Sequence, residues 1–239
     1  MKLLLSIFIL SIFNIAYSQE EKKAAKYVDW FDTKIGKTNN SLFQGTEYEE
    51  EYLMKNEKHR FFPNFDFTLG NVNFNGQQYF NVLCNYDVYG DQLLLKTHEL
   101  TDATAILVDK KKVESFTIAN HNFYNLKTKN KNFEDGFYEL LVKNQLFSIY
   151  KKHKKKKSQK LDKTYVYYLF KDKDKYVLYY ENDFHKLKSV KNIGAIIKGQ
   201  KDFLRNLVQK QPDLKKMKED EKLIFVANKL FAHLISNEN

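Results

Sequence analysis

Between Phe80 and Val88 the chain alternates: Phe80, Val82, Cys84, Tyr86 and Val88 fall on one side of an extended backbone, while Asn81, Asn85 and Asp87 punctuate the other. A period of two sustained over a run this long cannot be laid along one face of a helix, so the stretch predicts a strand with one side turned inward. Just before it, Asn75-Gly76 is the strongest short-range hairpin signal, since both residues tolerate the left-handed backbone of a tight two-residue turn. Asn71–Phe74 is then the partner strand, and Gly90-Asp91 turns the chain into Gln92–Lys96. These three strands predict a meander.

More strand-like runs follow at the short, regular spacing of an all-β architecture: near residues 104–108, 113–118, 122–126, 136–142, 146–151, 164–170, 175–180 and 184–187. Their turns are built from Asp, Asn and Lys, and the chain has only two prolines, which suits well-paired strands. At Ser189 the period changes. Ile193, Ile196, Ile197, Phe203, Leu204, Leu207 and Val208 recur at helical spacing with Gly199 as a break, and Leu223, Ile224, Ala227, Leu230, Phe231 and Leu234 line one side of a helix near residues 218–235. The expected fold is α+β and mainly β, an antiparallel meander forming a strongly curved sheet or partly closed barrel with C-terminal helices packed on it. Residues 41–188 would be the β body, 189–239 the helical segment and 19–40 an N-terminal arm or short helix.

Met1-Lys2, an apolar run from Leu3 to Ile15 and then Ala16-Tyr17-Ser18 before Gln19 read as a secretory signal peptide cut after Ser18. The apolar run is too short to span a bilayer as a helix, so no transmembrane span is expected after cleavage. The implied location is periplasmic or secreted. Cys84, the only cysteine, has no intrachain partner and sits mid-strand, where a buried small hydrophobe is expected.

The formal charge is +10, and it is local. Residues 151–163 hold eight lysines against one aspartate, a net of +7. Lys151, Lys152, Lys154, Lys155, Lys156 and Lys157 predict either a solvated loop or an anion-binding one, with an anionic envelope polymer or lipid surface as the partner. Nucleic acid is not expected, because export removes the chain from it and no aromatic lies between Tyr150 and Tyr165 to stack bases.

Chemical motifs fail on spacing. Gly36-Lys37-Thr38 lacks the upstream glycine of a phosphate-binding loop, where Phe31 stands. His98-Glu99 begins a zinc-protease pattern, but Asp102 occupies the place of its second histidine. No serine lies in a nucleophile elbow, the six histidines are scattered, and the acidic run Glu47, Glu49, Glu50, Glu51 lacks the alternation of a calcium loop. No metal, cofactor or catalytic residue is therefore expected. Asp87, Tyr89 and Asp91 are the remaining candidates for a polar ligand site, since aspartate among β formers needs a hydrogen-bonding reason to be there.

Gly45-Thr46-Glu47-Tyr48, the run from Gly70 to Tyr79, the run from Asn85 to Leu93 and Gly136-Phe137-Tyr138-Glu139-Leu140-Leu141 resemble a family of uncharacterised exported proteins of Gram-negative bacteria. The resemblance implies a signal peptide, a β-rich body and a helical tail, and brings no established activity. The functional expectation is a non-enzymatic envelope protein, a binding or structural module whose partner is an envelope protein or an anionic envelope surface. The alternatives are a hydrolase acting on an envelope polymer through Asp87 or the Glu47–Glu51 carboxylates, and a periplasmic lipid carrier.

Overall fold

The structure, a computed structural model, describes residues 41–55, 57–96, 104–128 and 130–237. The signal peptide, the N-terminal arm, the Gly36-Lys37-Thr38 loop and His98 lie outside the described residues. In chain order the strands are β1 (Thr46–Glu47), β2 (Phe61–Phe62), β3 (Thr68–Phe74), β4 (Gln77–Asp87), β5 (Gln92–Lys96), β6 (Ile106–Leu107) and β7 (Val113–Ile118). They continue with β8 (His121–Leu126), β9 (Gly136–Lys143), β10 (Phe147–Lys152), β11 (Lys155–Asp162), β12 (Tyr165–Asp172), β13 (Lys175–Tyr180) and β14 (Asp183–Leu187). Three helices close the chain: α1 (Val190–Ile196), α2 (Lys201–Lys210) and α3 (Glu219–Asn237). Strand exceeds helix by 44% to 22% and the strand ladders are antiparallel, so the mainly-β expectation holds.

The chain forms two compact units. One holds the described residues up to Glu50 with Phe65–Tyr86 and Gln92–Ala119; the other holds Glu51–Asn64, Asp87–Asp91 and the chain from Asn120 onward.

In the first unit the strand order is β1-β6-β5-β4-β3-β7. Asn75 and Gly76 both have positive φ, 52° and 76°, so the hairpin joining β3 to β4 closes as its residues predict. The alternation along β4 is interrupted once. Asn81 adopts φ 54° where the register with β3 slips, so Tyr79 and not Phe80 shares the buried face with Val82, Cys84 and Tyr86. A bulge inserts one residue and flips every side chain beyond it, and asparagine is among the few residues that accept the left-handed backbone. Gly70 faces this irregularity. A Cβ there would stand 2.1 Å from the Thr117 carbonyl oxygen and 2.7 Å from the Cys84 sulfur, so only glycine lets the three strands approach. Cys84 is fully buried, its Sγ 3.6 Å from the Thr68 carbonyl, and burial pushes its thiol up to about 12. It is the inert core thiol that its place mid-strand predicts.

The second unit builds the order β8-β9-β10-β13-β14, with β11 and β12 as a separate two-stranded ribbon. Val142, Phe147, Ile149, Leu178 and Leu187 supply an apolar sheet face, and Val190, Ile193, Leu204, Leu223, Val226, Ala227 and Leu230 cover it from the helices. On α3 the buried positions 223, 226, 227 and 230 repeat at three and four, which places them on one stripe. Glu219, Asp220 and Glu221 fill its first turn, where negative charge suits the helix dipole. Gly199, at φ 79°, supplies the break between α1 and α2. An acyl chain inside this unit would have to displace Ile149, Leu178, Ile193, Val226, Ala227 and Leu230, which have no exposed surface, so the space between sheet and helices is already filled by side chains.

Candidate functional site

The ribbon β11–β12 overturns one local expectation. The lysine-rich run was expected as a loop, yet Lys151 and Lys152 end β10, buried, and Lys155, Lys156 and Lys157 open β11. Most of these ammonium groups are matched to carboxylates. Lys151 donates to Asp220 at 2.7 Å and lies 3.2 Å from Asp174; burial works against its charge, but the two carboxylates outweigh that and raise its pKa. Lys152 donates to Asp91 at 2.7 Å and to the Phe137 carbonyl at 3.1 Å. Lys154 donates to Glu134 at 2.7 Å and Lys155 pairs with Asp172 at 2.7 Å. Hydrogen bonds from Lys154 and then Lys175 hold the Glu134 carboxyl down at about 2. Four of the six lysines are thus committed to ion pairs within the fold. Lys156 is exposed and carries no such pair among the described residues.

The predicted ligand turn is organised around a buried charge. Asp87 is 1% exposed. Arg60 grips its carboxylate with two nitrogens, Nε donating to Oδ1 at 2.9 Å and Nη2 to Oδ2, while the backbone N–H groups of Tyr89 and Gly90 donate to Oδ1 at 3.0 and 3.1 Å. A bidentate arginine and two backbone donors leave this carboxylate nothing to offer a substrate as acid, base or nucleophile. Glycine is needed at position 90, because a Cβ there would meet Asp87 Oδ2 at 2.5 Å. The consequence is a turn pinned from beneath. Asp91 at its end is held by Lys152, so the two sites predicted separately are joined by an ion pair.

What the turn presents outward is Tyr89, 38% exposed. Its ring lies 6.0 Å from Tyr52 and 5.1 Å from Phe170, and Tyr52 in turn packs edge-on against Tyr168 at 5.0 Å. Lys157 places its ammonium 4.2 Å from the Tyr52 ring centre, 5.3 Å from Tyr168 and 5.4 Å from Tyr89, and donates to the Tyr52 hydroxyl at 3.2 Å. That hydrogen bond raises the lysine pKa. Arg60 lies 5.0 Å from the Tyr52 ring, so two cations lie within reach of that ring. The arrangement can stack and donate hydrogen bonds.

A second polar constellation escaped the reading of the sequence, in which the six histidines are scattered. Glu139, buried on β9, accepts a hydrogen bond from His121 Nδ1 and another from His153 Nε2, both at 2.5 Å. His153 interrupts the lysine run, and here it turns inward between Phe62 and Phe123, with ring centres at 4.7 and 5.6 Å. The one available signal was a glutamate flanked by Phe137, Tyr138, Leu140 and Leu141, the same anomaly that singled out Asp87. No group of three or more metal-binding side chains with the geometry to hold an ion occurs among the described residues, and Glu47, Glu49, Glu50 and Glu51 are exposed, with Tyr48 donating to Glu50 at 2.6 Å.

Burial works against the Glu139 charge, but the hydrogen bonds from His153 and His121 outweigh it and hold the carboxyl below its ordinary value of 4.5. A carboxylate whose pKa is depressed on folding stabilises the fold fully above the unfolded value and loses that contribution as pH falls through the folded one. Wild type should therefore lose stability on acidification below about 4.5, and Glu139→Gln, already missing the contribution at neutrality, should show a shallower acid limb. Urea midpoints measured down the carboxylate range check this; parallel acid limbs would remove Glu139 from the account.

Comparison with family models, with curated proteins and with solved structures gives no match.

Proposed function

We propose that the protein is an exported, non-catalytic envelope protein acting as a binding module, with the turn from Asp87 to Asp91 as its ligand-facing element. Membership of the exported Gram-negative family that its motifs resemble is part of the same reading. The observation that carries it is the fate of the carboxylates: Asp87 is consumed by Arg60 and two backbone donors, and Asp91 by Lys152, so the turn is rigid and has no acid or base to spend. A hydrolase of the expected kind needs two carboxyls facing an open cleft, and Asp87 is no longer a candidate for either. Rigid support beneath an exposed aromatic is instead what a recognition surface requires. Tyr89, Tyr52 and Lys157 supply stacking area, hydroxyl groups and a cation at that surface.

Export after cleavage at Ser18 completes the reading, and among the described residues no helix is long and apolar enough to cross a membrane. Affinity recovery from envelope extracts with wild type and Tyr89→Ser tests it. The expected result is a ligand or partner retained by wild type and lost by the variant, with an N-terminus at Gln19 on the exported chain. Equal recovery by both proteins, or turnover in a broad hydrolase screen with nothing retained, overturns it.

A further inference from the structure

Two carboxylates lie on the β11–β12 ribbon, and both are taken: Asp162 by Lys55 at 2.7 Å and Asp172 by Lys155. Lys157 is engaged by Tyr52, and four other lysines of the ribbon are left over. Lys156 stands directly opposite Lys171 across the strands, and Lys160, four residues along on the same face of β11, stands opposite Tyr167. Lys163 occupies the reversal, at φ 48°. All four lysines are exposed, and none has a carboxylate partner among the described residues. Like charges opposed across a strand pair destabilise it, so this face is arranged for something other than the stability of the ribbon.

At the tip the chemistry changes. Leu161 pairs with Val166, and Tyr165 lies beside the reversal; their exposures are 74%, 36% and 39%. Lysines along an open strand edge discourage other strands from pairing there, which accounts for Lys156 and Lys160, and Tyr165 is held by its hydrogen bond to Asp162 at 3.0 Å and by Lys55 over its ring, but nothing local gives a reason for Leu161 and Val166 to be held in water at the end of a hairpin.

An apolar tip with the ammonium groups of Lys160 and Lys163 beside it, and those of Lys156 and Lys171 farther back along the strands, matches the interface of an anionic bilayer. The tip leaves water for the acyl boundary while the lysines reach headgroup phosphates. A dissolved polyanion would satisfy the lysines and leave Leu161 wet. We propose that the β11–β12 hairpin docks the protein on anionic phospholipid bilayers, with Leu161, Tyr165 and Val166 entering the interface and Lys156, Lys160, Lys163 and Lys171 holding the headgroups. The inference stands apart from the ligand turn, whose test does not involve these residues.

Co-sedimentation with phosphatidylcholine vesicles, with and without phosphatidylglycerol, decides it. Wild type should bind only the anionic vesicles, less as salt rises. Each Lys→Gln change should weaken binding about fivefold, so Lys156→Gln, Lys160→Gln and Lys171→Gln together should weaken it about a hundredfold, with recovery when arginine replaces glutamine at these positions. Leu161→Ser should weaken vesicle binding about tenfold and leave binding to soluble dextran sulfate unchanged. The substituted side chains are exposed, so melting temperatures should not fall. Three outcomes overturn the proposal: no binding to anionic vesicles at low salt, equal binding to neutral ones as the apolar segment Leu3–Ile15 would produce, or full vesicle binding by Leu161→Ser, which would leave only a polyanion patch or a contact between copies.

Discussion

Replacing Asp87 with alanine is expected to destabilise the fold by about 3–5 kcal/mol, because it removes the carboxylate that Arg60 grips with two nitrogens while the guanidinium stays buried. The two side chains are about a tenth exposed or less, and the pair is bidentate. Breaking a buried pair on one side is far costlier than replacing both members with apolar residues of similar volume. Asp87→Leu combined with Arg60→Met should therefore recover part of the loss. It should not recover all of it, since the N–H groups of Tyr89 and Gly90 would still lose their acceptor. Urea midpoints of wild type, Asp87→Leu, Arg60→Met and the double variant form a cycle that isolates the pair. If Asp87→Ala unfolds at the wild-type midpoint, the ion pair does not hold the turn and the rigid recognition surface loses its basis.

Truncating Phe123 to alanine should cost about 3–5 kcal/mol, the usual penalty for emptying a buried aromatic site. Phe123 has no exposed surface, and its ring lies 5.3 Å from Phe62 and 5.6 Å from His153. The cavity would open beside the Glu139 network, so water entering it should also reduce the difference between wild type and Glu139→Gln on acidification. Phe123→Leu keeps most of the volume and should cost appreciably less. Thermal or urea unfolding measures both variants; near-identical midpoints would show that this wall of the second unit is loosely packed.

Strand positions were legible wherever burial on one side alone decided the pattern. Val113–Ile118 and Lys175–Tyr180 fall where alternation and turn residues put them, and the helical stripe of α3 is readable from its spacing of three and four. The β11 strand was not legible, because its lysines and glutamine bury no continuous face and so leave no period in the sequence. The phase of β4 before Asn81 was missed for a related reason: a bulge adds one residue without changing composition.

The sequence by itself determined the class of the fold, the Asn75-Gly76 hairpin, the helical tail, the burial of Cys84 and the oddity of an aspartate at position 87. Alternation, turn chemistry and helical spacing are local, and a neighbour a few residues away suffices to express them. Only the tertiary structure decided which charges are spent. Lys151 meets a carboxylate 69 residues away and Lys152 one 61 residues away, while His121 and His153 converge on Glu139. A run of lysines reads the same whether its ammonium groups face water or carboxylates, because Coulomb attraction acts through distance in space and carries no period along the chain. Within this segment Lys151, Lys152, Lys154 and Lys155 meet carboxylates, whereas Lys156, Lys160, Lys163 and Lys171 have no such partner among the described residues.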